Sequence, residues 1–201
     1  MNLFIISASQ RHPSQSLKVA RYVGHMIEKS RKFQSYEIYD LGSHPLPLWD
    51  EGVWRNDPKW EKILSPLRQK VINADAFVMV IPEWNGGVTP AIKNFSLFFD
   101  EKETGHKPVW LITISSEING QYPIADMKAF GSKNNKWIFI PDHTIIRFVK
   151  QMLNNHMPHN QEEKILIERM AYSLHQLALY AQALKSVRLK FTFDERFKYA
   201  M

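Results

Sequence analysis

Residues 77–81 (FVMVI) are apolar without interruption, and they run directly into the segment 82–90 (PEWNGGVTP). A short strand that is apolar on both faces is typical of a parallel sheet covered by helices on each side. Proline, asparagine and two adjacent glycines end this strand and turn the chain sharply. The turn is either an ordinary strand-to-helix connection or a ligand cradle, because ligands bind outside the carboxyl ends of parallel strands.

Apolar runs of this kind alternate with helical patterns along most of the chain. The alternation predicts an α/β fold, namely a flavodoxin-like three-layer sandwich with a five-stranded parallel sheet in the order 2-1-3-4-5. Its ligand site is expected beside the first strand, where the strand order reverses. The predicted strands are residues 3–7, 36–41, 77–81, 109–115 and 137–140, and the predicted helices are residues 14–31, 60–72, 91–99 and 162–184.

The end of the chain, residues 186–201, has a different pattern. Val187, Leu189, Phe191 and Phe193 alternate with polar residues. A period of two is typical of a strand. We therefore predict one flavodoxin-like ligand-binding domain over residues 1–185, with residues 186–201 as an arm or an edge strand rather than a separate domain.

The charge pattern argues against a nucleic-acid partner. The chain has a net charge of +6 and a pI of about 9.4, but its basic residues are scattered and interleaved with acidic ones. A nucleic-acid interface concentrates such charge on one face. No apolar run approaches the ~20 residues of a membrane span and no signal peptide is evident, so we expect a cytoplasmic protein without a membrane partner. The absence of cysteine excludes thiol catalysis and cysteine-based metal sites.

The first predicted strand ends in a loop rich in hydroxyl groups, residues 7–16 (SASQRHPSQS). Its serines and Arg11 lie at the transition from this strand to the first predicted helix, where unpaired backbone N–H groups and the helix dipole favour an anion. Serine hydroxyls and a guanidinium would add donors to a phosphate. The alternative is that Ser14 or Ser16 only caps the helix, although capping requires one such residue. No P-loop or dinucleotide-binding glycine motif is present, so a terminal monophosphate, such as that of FMN, is the expected ligand.

Three stretches of the chain are close to the motifs of one family. The loop Ser9-x-Arg11-x-x-Ser14-x-Ser16 is similar to S-x-R-x-x-S-x-N. Residues 40–51 (DLGSHPLPLWDE) are similar to D-L…L-P-x-Y-D-E, and residues 82–94 (PEWNGGVTPAIKN) to P-E-Y-N-x-S-x-P-x-x-L-K-N. Over about residues 1–185 the chain thus resembles the flavodoxin-like NADPH-dependent FMN reductases, which include quinone, azo-dye and metal-oxyanion reductases.

The resemblance implies non-covalently bound FMN, with NADPH as co-substrate. It also implies a homodimer or homotetramer with the flavin close to the subunit interface. Because the flavin carries the chemistry, no catalytic side chain is predicted. The third contact would come from the loop 115–120, through Ser115. The phosphate would lie on Ser9, Arg11, Ser14 and Ser16, and the ribityl chain and isoalloxazine ring against Pro82, Glu83, Trp84, Asn85 and Gly86.

The chain departs from the family at several places. Ala8 replaces a glycine, Trp84 replaces a tyrosine, and an aspartate of the family is missing near Leu97. The loop 115–120 lacks the usual glycine pair and contains Glu117, whose carboxylate would disfavour an anionic reduced ring beside it. We therefore expect this loop to weaken FMN binding or to change the substrate.

The sequence favours an FMN-dependent NAD(P)H oxidoreductase that passes hydride or electrons from NADPH through FMN to a small acceptor, such as a flavin or quinone, in a ping-pong cycle. The alternatives are a non-catalytic flavin-fold sensor or interaction protein, and a flavodoxin-type electron carrier. The carrier is disfavoured because such proteins are commonly acidic, whereas this chain is basic. His156 and His159 have no further ligand placed with them, so we predict a surface loop and no metal site.

Overall fold

One parallel sheet organises the computed structural model, which describes residues 1–197. Its strands follow the order β2-β1-β3-β4-β5, with β6 also paired to β4, so the predicted α/β sandwich and its strand order are confirmed. The strands are β1 (Asn2–Ser7), β2 (Ser35–Asp40), β3 (Ala76–Pro82), β4 (Pro108–Ile114), β5 (Ile138–Phe139) and β6 (Thr144–Ile146). The helices are α1 (Gln15–Ser30), α2 (Pro58–Asn73), α3 (Pro90–Ser96), α4 (Glu101–Thr104), α5 (Tyr122–Phe130) and α6 (Gln161–Lys190), with 3₁₀ turns at Glu51–Val53 and Glu195–Phe197.

Helices cover both faces of the sheet because its central strands are apolar on both sides. Every residue of β3 and β4 is buried. Neighbouring positions on these strands face two separate cores: Val78 and Trp110 pack with α1 and α6, whereas Phe77 and Val109 pack with α2 and α3. The uninterrupted apolar sequences of β3 and β4 therefore reflect burial on both faces of the sheet rather than on one.

The fifth strand is divided, whereas the sequence predicted a single strand over residues 137–140. β5 pairs with the start of β4, and β6 pairs with its end. Pro141 lies between the two pieces, and proline has no N–H with which to continue a ladder. Asp142 follows it and accepts a hydrogen bond from the hydroxyl of Ser173 in α6. The chain thus leaves the sheet to contact the covering helix and then returns.

The predicted edge strand after residue 185 is wrong for the residues that α6 includes. α6 continues to Lys190, so Val187 and Leu189 are helical, and residues 191–194 form no strand. Basic side chains in the last turn of a helix stabilise its carboxyl end, and this signal outweighs the period of two. Residues 198–201 lie outside the described part of the chain, and the arm and the domain boundary stay predictions.

The last turn of α6 is tied to the amino ends of the central strands. Arg188 forms an ion pair with Asp75, which directly precedes β3, at 3.1 Å. It also donates a hydrogen bond to the carbonyl oxygen of His106, just before β4, at 3.3 Å. These contacts lie at the edge of the sheet opposite the carboxyl ends of the strands.

Two helices were missed in the sequence. α4 begins with a capping box formed by Asp100 and Glu103, but its four residues are too few for a periodic pattern. α5 begins at Tyr122, and the residue before it, Gln121, makes no side-chain cap. Within residues 1–197, no helix combines the length and the apolar character needed to cross a membrane.

The buried side chain of Lys107 should make the free energy of unfolding depend on pH. Its ammonium group donates hydrogen bonds to the carbonyl oxygens of Val71 and Ile72 at the end of α2, both at 2.8 Å. Burial, together with the charge of Arg188, lowers its pKa from 10.5 to about 7. Between those pH values the unfolded chain binds more protons than the folded one, so the free energy of unfolding gains up to ~1.4 kcal/mol per pH unit from this group.

We expect Lys107→Met to remove this rise in the free energy of unfolding with pH. Urea unfolding of the variant and the parent protein at about pH 7.5, 8.2 and 9, all between the folded and unfolded pKa values of Lys107, gives the free energy of unfolding at each pH. The slope of that free energy against pH should be smaller for the variant. Parallel pH profiles for the variant and the parent protein would show that Lys107 keeps its ordinary pKa.

Candidate functional site

A cavity of about 580 Å³ opens at the carboxyl edge of the sheet. Its volume lies within the ~300–1,000 Å³ range of small-ligand sites. Four segments line it: the β1–α1 loop, the β3–α3 loop, the loop after β4 and the segment after β6. The lining residues are Ser9, Arg11, His12, Pro13, Gln15, Ser16, Pro82, Glu83, Trp84, Asn85, Ile114, Ser115, Ser116, Val149 and Lys150. Of the predicted site residues, Ser14 and Gly86 are outside this lining.

The serines of the first loop have different roles. Ser14 is the N-cap of α1, and its hydroxyl oxygen accepts a hydrogen bond from the Leu17 N–H at 3.0 Å. Ser9 is buried and accepts from the Arg11 N–H at 3.2 Å. Ser16 is fully buried against the cavity, and its hydroxyl has no hydrogen-bond partner within residues 1–197. Ser14 therefore has the capping role, and the Ser16 hydroxyl is not used in capping.

The end of β2 supports this loop from behind. A side chain at Gly42 would place its Cβ atom 2.8 Å from the carbonyl oxygen of Ser9, so only glycine allows this approach. Asp40 accepts hydrogen bonds from the N–H and the hydroxyl of Ser43, at 3.1 and 2.7 Å. Burial raises the pKa of Asp40, but these hydrogen bonds outweigh it and keep the pKa below its ordinary value.

Arg11 extends from the β1–α1 loop to the β3–α3 loop. Its guanidinium lies over the ring of Trp84, 5.0 Å from the ring centroid. A cation in this position is attracted by the face of the indole. Both residues line the cavity, so the contact brings a positive charge to its rim.

The segment that follows β3 forms a tight hairpin turn. The backbones of Trp84 and Gly87 exchange two hydrogen bonds of 3.1 Å, and Asn85 and Gly86 between them have φ angles of 49° and 70°. Asn-Gly with two positive φ angles is typical of a type I′ turn. The Gly87 N–H is used inside the turn, whereas the N–H groups of Asn85 and Gly86 make no hydrogen bond within the described residues.

Glu83 connects the turn to the loop after β4. Its backbone N–H donates to the Ile114 carbonyl oxygen at 3.0 Å. Its carboxylate accepts from the N–H groups of Gly120, at 2.7 Å, and Tyr122, at 3.3 Å. The loop therefore lies beside the turn although it lacks a glycine pair. Glu117 is exposed and outside the cavity lining, so the structure does not place its carboxylate against the site.

Asn94 explains why two of the sequence motifs occur together. Its side-chain amide donates to the carbonyl oxygens of Pro47, at 2.9 Å, and Leu46, at 3.4 Å, and accepts from the Trp49 N–H at 2.9 Å. The asparagine that ends the third motif thus fixes the proline-rich connection that forms the second.

Two of the lining residues that sequence reasoning missed lie in the segment after β6, for which no contact was predicted. Val149 and Lys150 line the cavity, but no motif or periodic pattern marks them. His156 and His159 are outside the cavity lining. The ring centroid of His156 lies 4.0 Å from that of His25, and His159 Nδ1 lies 2.6 Å from Glu163 Oε2. Within residues 1–197, no cluster of three or more metal-ligating side chains occurs.

The amino-acid sequence is similar to those of known NAD(P)H-dependent reductases. The chain is 30% identical over 115 residues to an NADPH azoreductase of Bacillus sp. (strain OY1-2), covering 57% of this chain and 59% of that protein. It is 28% identical over 121 residues to an NAD(P)H-dependent FMN reductase of Schizosaccharomyces pombe, covering 59% of this chain and 60% of that protein. The alignments therefore span about three fifths of the length of these curated relatives.

Solved structures share the fold at low sequence identity. The NAD(P)H:(acceptor) oxidoreductase FerB of Paracoccus denitrificans has a TM-score of 0.68 at 14% identity, over 90% of this chain and 97% of that one. An FMN-dependent NADH-azoreductase of Bacillus anthracis, solved in complex with FMN, has a TM-score of 0.61 at 16% identity, over 89% of this chain and 100% of that one. The family model for NADPH-dependent FMN reductase matches residues 1–150, and the chain therefore belongs to that family.

Proposed function

We propose that this protein is an FMN-dependent NAD(P)H oxidoreductase. It would pass hydride or electrons from NADPH through bound FMN to a small acceptor, such as a flavin or quinone, in a ping-pong cycle. The observation that carries this proposal is the meeting of a phosphate-type loop and an Asn-Gly turn around one cavity. Family membership over residues 1–150 supports the same conclusion.

The phosphate end of the cavity fits a monoester. The N–H groups of Gln15 and Ser16, in the first turn of α1, make no hydrogen bond within the described residues, and the helix dipole favours an anion there. The unpartnered Ser16 hydroxyl adds a buried donor, which would be costly to keep without a ligand or water. Ser9 and Arg11 complete a set of neutral and charged donors of the kind that phosphate requires.

The other end of the cavity fits a flat, partly polar ring. Pro82, Trp84 and Ile114 supply apolar surface, and the free N–H group of Asn85 supplies a donor beside it. Ser115 and Ser116 add hydroxyl groups from the loop after β4. The residues present therefore fit FMN at both its phosphate and its ring.

The chain's own residues would bind and orient rather than react. FMN, when bound, supplies the hydride chemistry. The hairpin turn would hold the ring edge through backbone N–H groups, which do not titrate. Arg11 would add positive charge near an anionic ligand, whereas the carboxylate of Glu83 is neutralised in part by two N–H groups from the next loop. This arrangement would favour the negative charge that a reduced flavin carries.

A homodimer or homotetramer is part of the proposal. Leu48, Trp54 and Leu97 are large apolar side chains that are more than half exposed. Trp54 and Leu97 line a groove of about 1140 Å³ on the same side as the proline-rich connection. Exposed apolar surface of this kind is typical of subunit contacts. Light scattering tests the proposal, and a monomer mass at all concentrations would contradict it.

The absorbance spectrum of the purified protein, followed by anaerobic titration with NADPH, tests the proposed activity. We expect a yellow protein, or one that takes up added FMN, whose flavin absorbance is bleached by NADPH and restored by a quinone. Bleaching by dithionite but not by NADPH or NADH would instead indicate an electron carrier. A colourless protein that takes up no FMN would indicate a sensor or interaction protein.

A further inference from the structure

Lys150 brings a second positive charge to the cavity from a segment that carries no recognised motif. It lines the cavity together with its neighbour Val149, and its ammonium group has no hydrogen-bond partner or ion pair within residues 1–197. Free lysines are common on protein surfaces, and their solvated side chains are usually without function. The backbone around Lys150, however, is held in a way that an ordinary surface loop is not.

Lys18 ties this segment to the first turn of α1. Its ammonium group donates to the carbonyl oxygens of Val149 and Met152, both at 2.7 Å, and to Asn154 Oδ1 at 2.8 Å. Burial lowers the pKa of Lys18, against the opposing charge of Glu163. A lysine at the amino end of a helix is disfavoured by the helix dipole, so its position is explained by the segment that it binds.

The same segment contains backbone strain that other contacts maintain. Phe148 and Leu153 have φ angles of 48° and 58°, a region that bulky residues rarely adopt. The buried carboxylate of Glu163 accepts from the Leu153 N–H, and the Val149 N–H donates to the Ser115 carbonyl oxygen at 3.0 Å. The backbone beside Lys150 is thus fixed from both the helix side and the cavity side. Strain that is maintained in this way is concentrated at functional segments.

The position of Lys150 next to α1 indicates which ligand group its ammonium charge could bind. Val149 contacts Lys18, one turn into the helix whose first N–H groups and buried Ser16 hydroxyl face the cavity. A phosphate monoester carries close to two negative charges at neutral pH. Arg11 alone supplies one positive charge, and its guanidinium lies over Trp84. A second cation would complement a dianion at this helix, and Lys150 is available to supply it.

We propose that Lys150 is a phosphate-binding residue of this cavity and is specific for a phosphate monoester dianion. The inference rests on the proposed function, from which two ligands with this group follow: FMN, through its 5′-phosphate, and NADPH, through its 2′-phosphate. The proximity to α1 favours FMN. Lysine binds phosphate as a compact point charge, so the interaction requires charge and reach rather than a fixed fork geometry.

Riboflavin provides a matched ligand because it is FMN without the phosphate. Flavin-free protein is titrated with FMN and with riboflavin, and flavin fluorescence gives both dissociation constants. Lys150→Gln is expected to weaken FMN binding about tenfold and to leave riboflavin binding within about twofold, because only FMN carries the phosphate that the ammonium group would bind. Lys62→Gln makes the same change in net charge on the exposed face of α2 and should change neither constant.

NADH provides the corresponding comparison for the second ligand. With FMN saturating, kcat/KM is measured for NADPH and NADH. A selective loss for NADPH in Lys150→Gln, with the FMN-to-riboflavin ratio unchanged, would assign the residue to the 2′-phosphate. If both ratios equal those of Lys62→Gln, Lys150 binds no phosphate and the inference is overturned. A parent protein that binds neither flavin would instead contradict the proposed function itself.

Discussion

Replacing Gly86 by valine will raise the dissociation constant of FMN at least tenfold. Gly86 occupies the second position of the type I′ turn with a φ angle of 70°. A β-branched residue in this region costs about 1–2 kcal/mol, and the turn would relax toward another conformation. The N–H group of Asn85, which lines the cavity, would then lose the position in which it is proposed to face the flavin. Flavin fluorescence titration of the flavin-free variant measures the change.

Gly86→Asn is the matched control because asparagine adopts positive φ angles more readily than other side chains. A Cβ atom at this position has no heavy atom within 4 Å, so both side chains would begin in open space. Any difference between them therefore reports backbone conformation rather than side-chain volume. Full flavin occupancy in the valine variant would contradict the assignment of this turn to the cofactor.

Asn94→Ala should destabilise the fold, because Asn94 holds the proline-rich connection through its side-chain amide. It removes three hydrogen bonds and leaves the carbonyl oxygens of Leu46 and Pro47 and the N–H of Trp49 without a partner. Partly buried groups left unpaired cost about 1 kcal/mol or more each, so we expect the free energy of unfolding to fall by about 3 kcal/mol. Urea unfolding followed by tryptophan fluorescence gives this value.

Asn134→Ala is the control for that experiment. Asn134 is exposed and should change the free energy of unfolding by less than about 0.5 kcal/mol. If both variants unfold at the same urea concentration as the parent protein, Asn94 does not fix the proline-rich connection. The two sequence motifs would then need another explanation for their joint occurrence.

The fold could be predicted where one physical signal acts without competition. The unbroken apolar runs of β3 and β4 identify a doubly covered parallel sheet, and the helical pattern that begins at Ser14 agrees with the observed Gln15–Ser30. The divided fifth strand could not be predicted, because the return after Pro141 depends on contacts between Asp142 and α6. The end of α6 was also missed, since its last turn is stabilised by Asp75, more than a hundred residues earlier.

In the candidate site, too, features set by local sequence could be predicted, whereas features set by distant contacts could not. The hairpin turn and the hydroxyl-rich loop have fixed local spacings, so the sequence identified both. Sequence alone could not separate Ser14, which caps α1, from Ser16, which faces the cavity, because both residues suit either role. Lys150 gave no signal at all, since its backbone position is set by Lys18, which is distant in the chain. The FMN-site residues stay a prediction that the binding experiments test.

The long α6 also determines where a reporter can be attached without disturbing the chemistry. Its last turn lies at the edge of the sheet opposite the cavity, where Arg188 meets Asp75. Leu189 is 78% exposed on that turn, and the chain contains no cysteine. Leu189→Cys would therefore accept a fluorophore at one defined point, and the label would report flavin binding by energy transfer along the length of the strands rather than by contact.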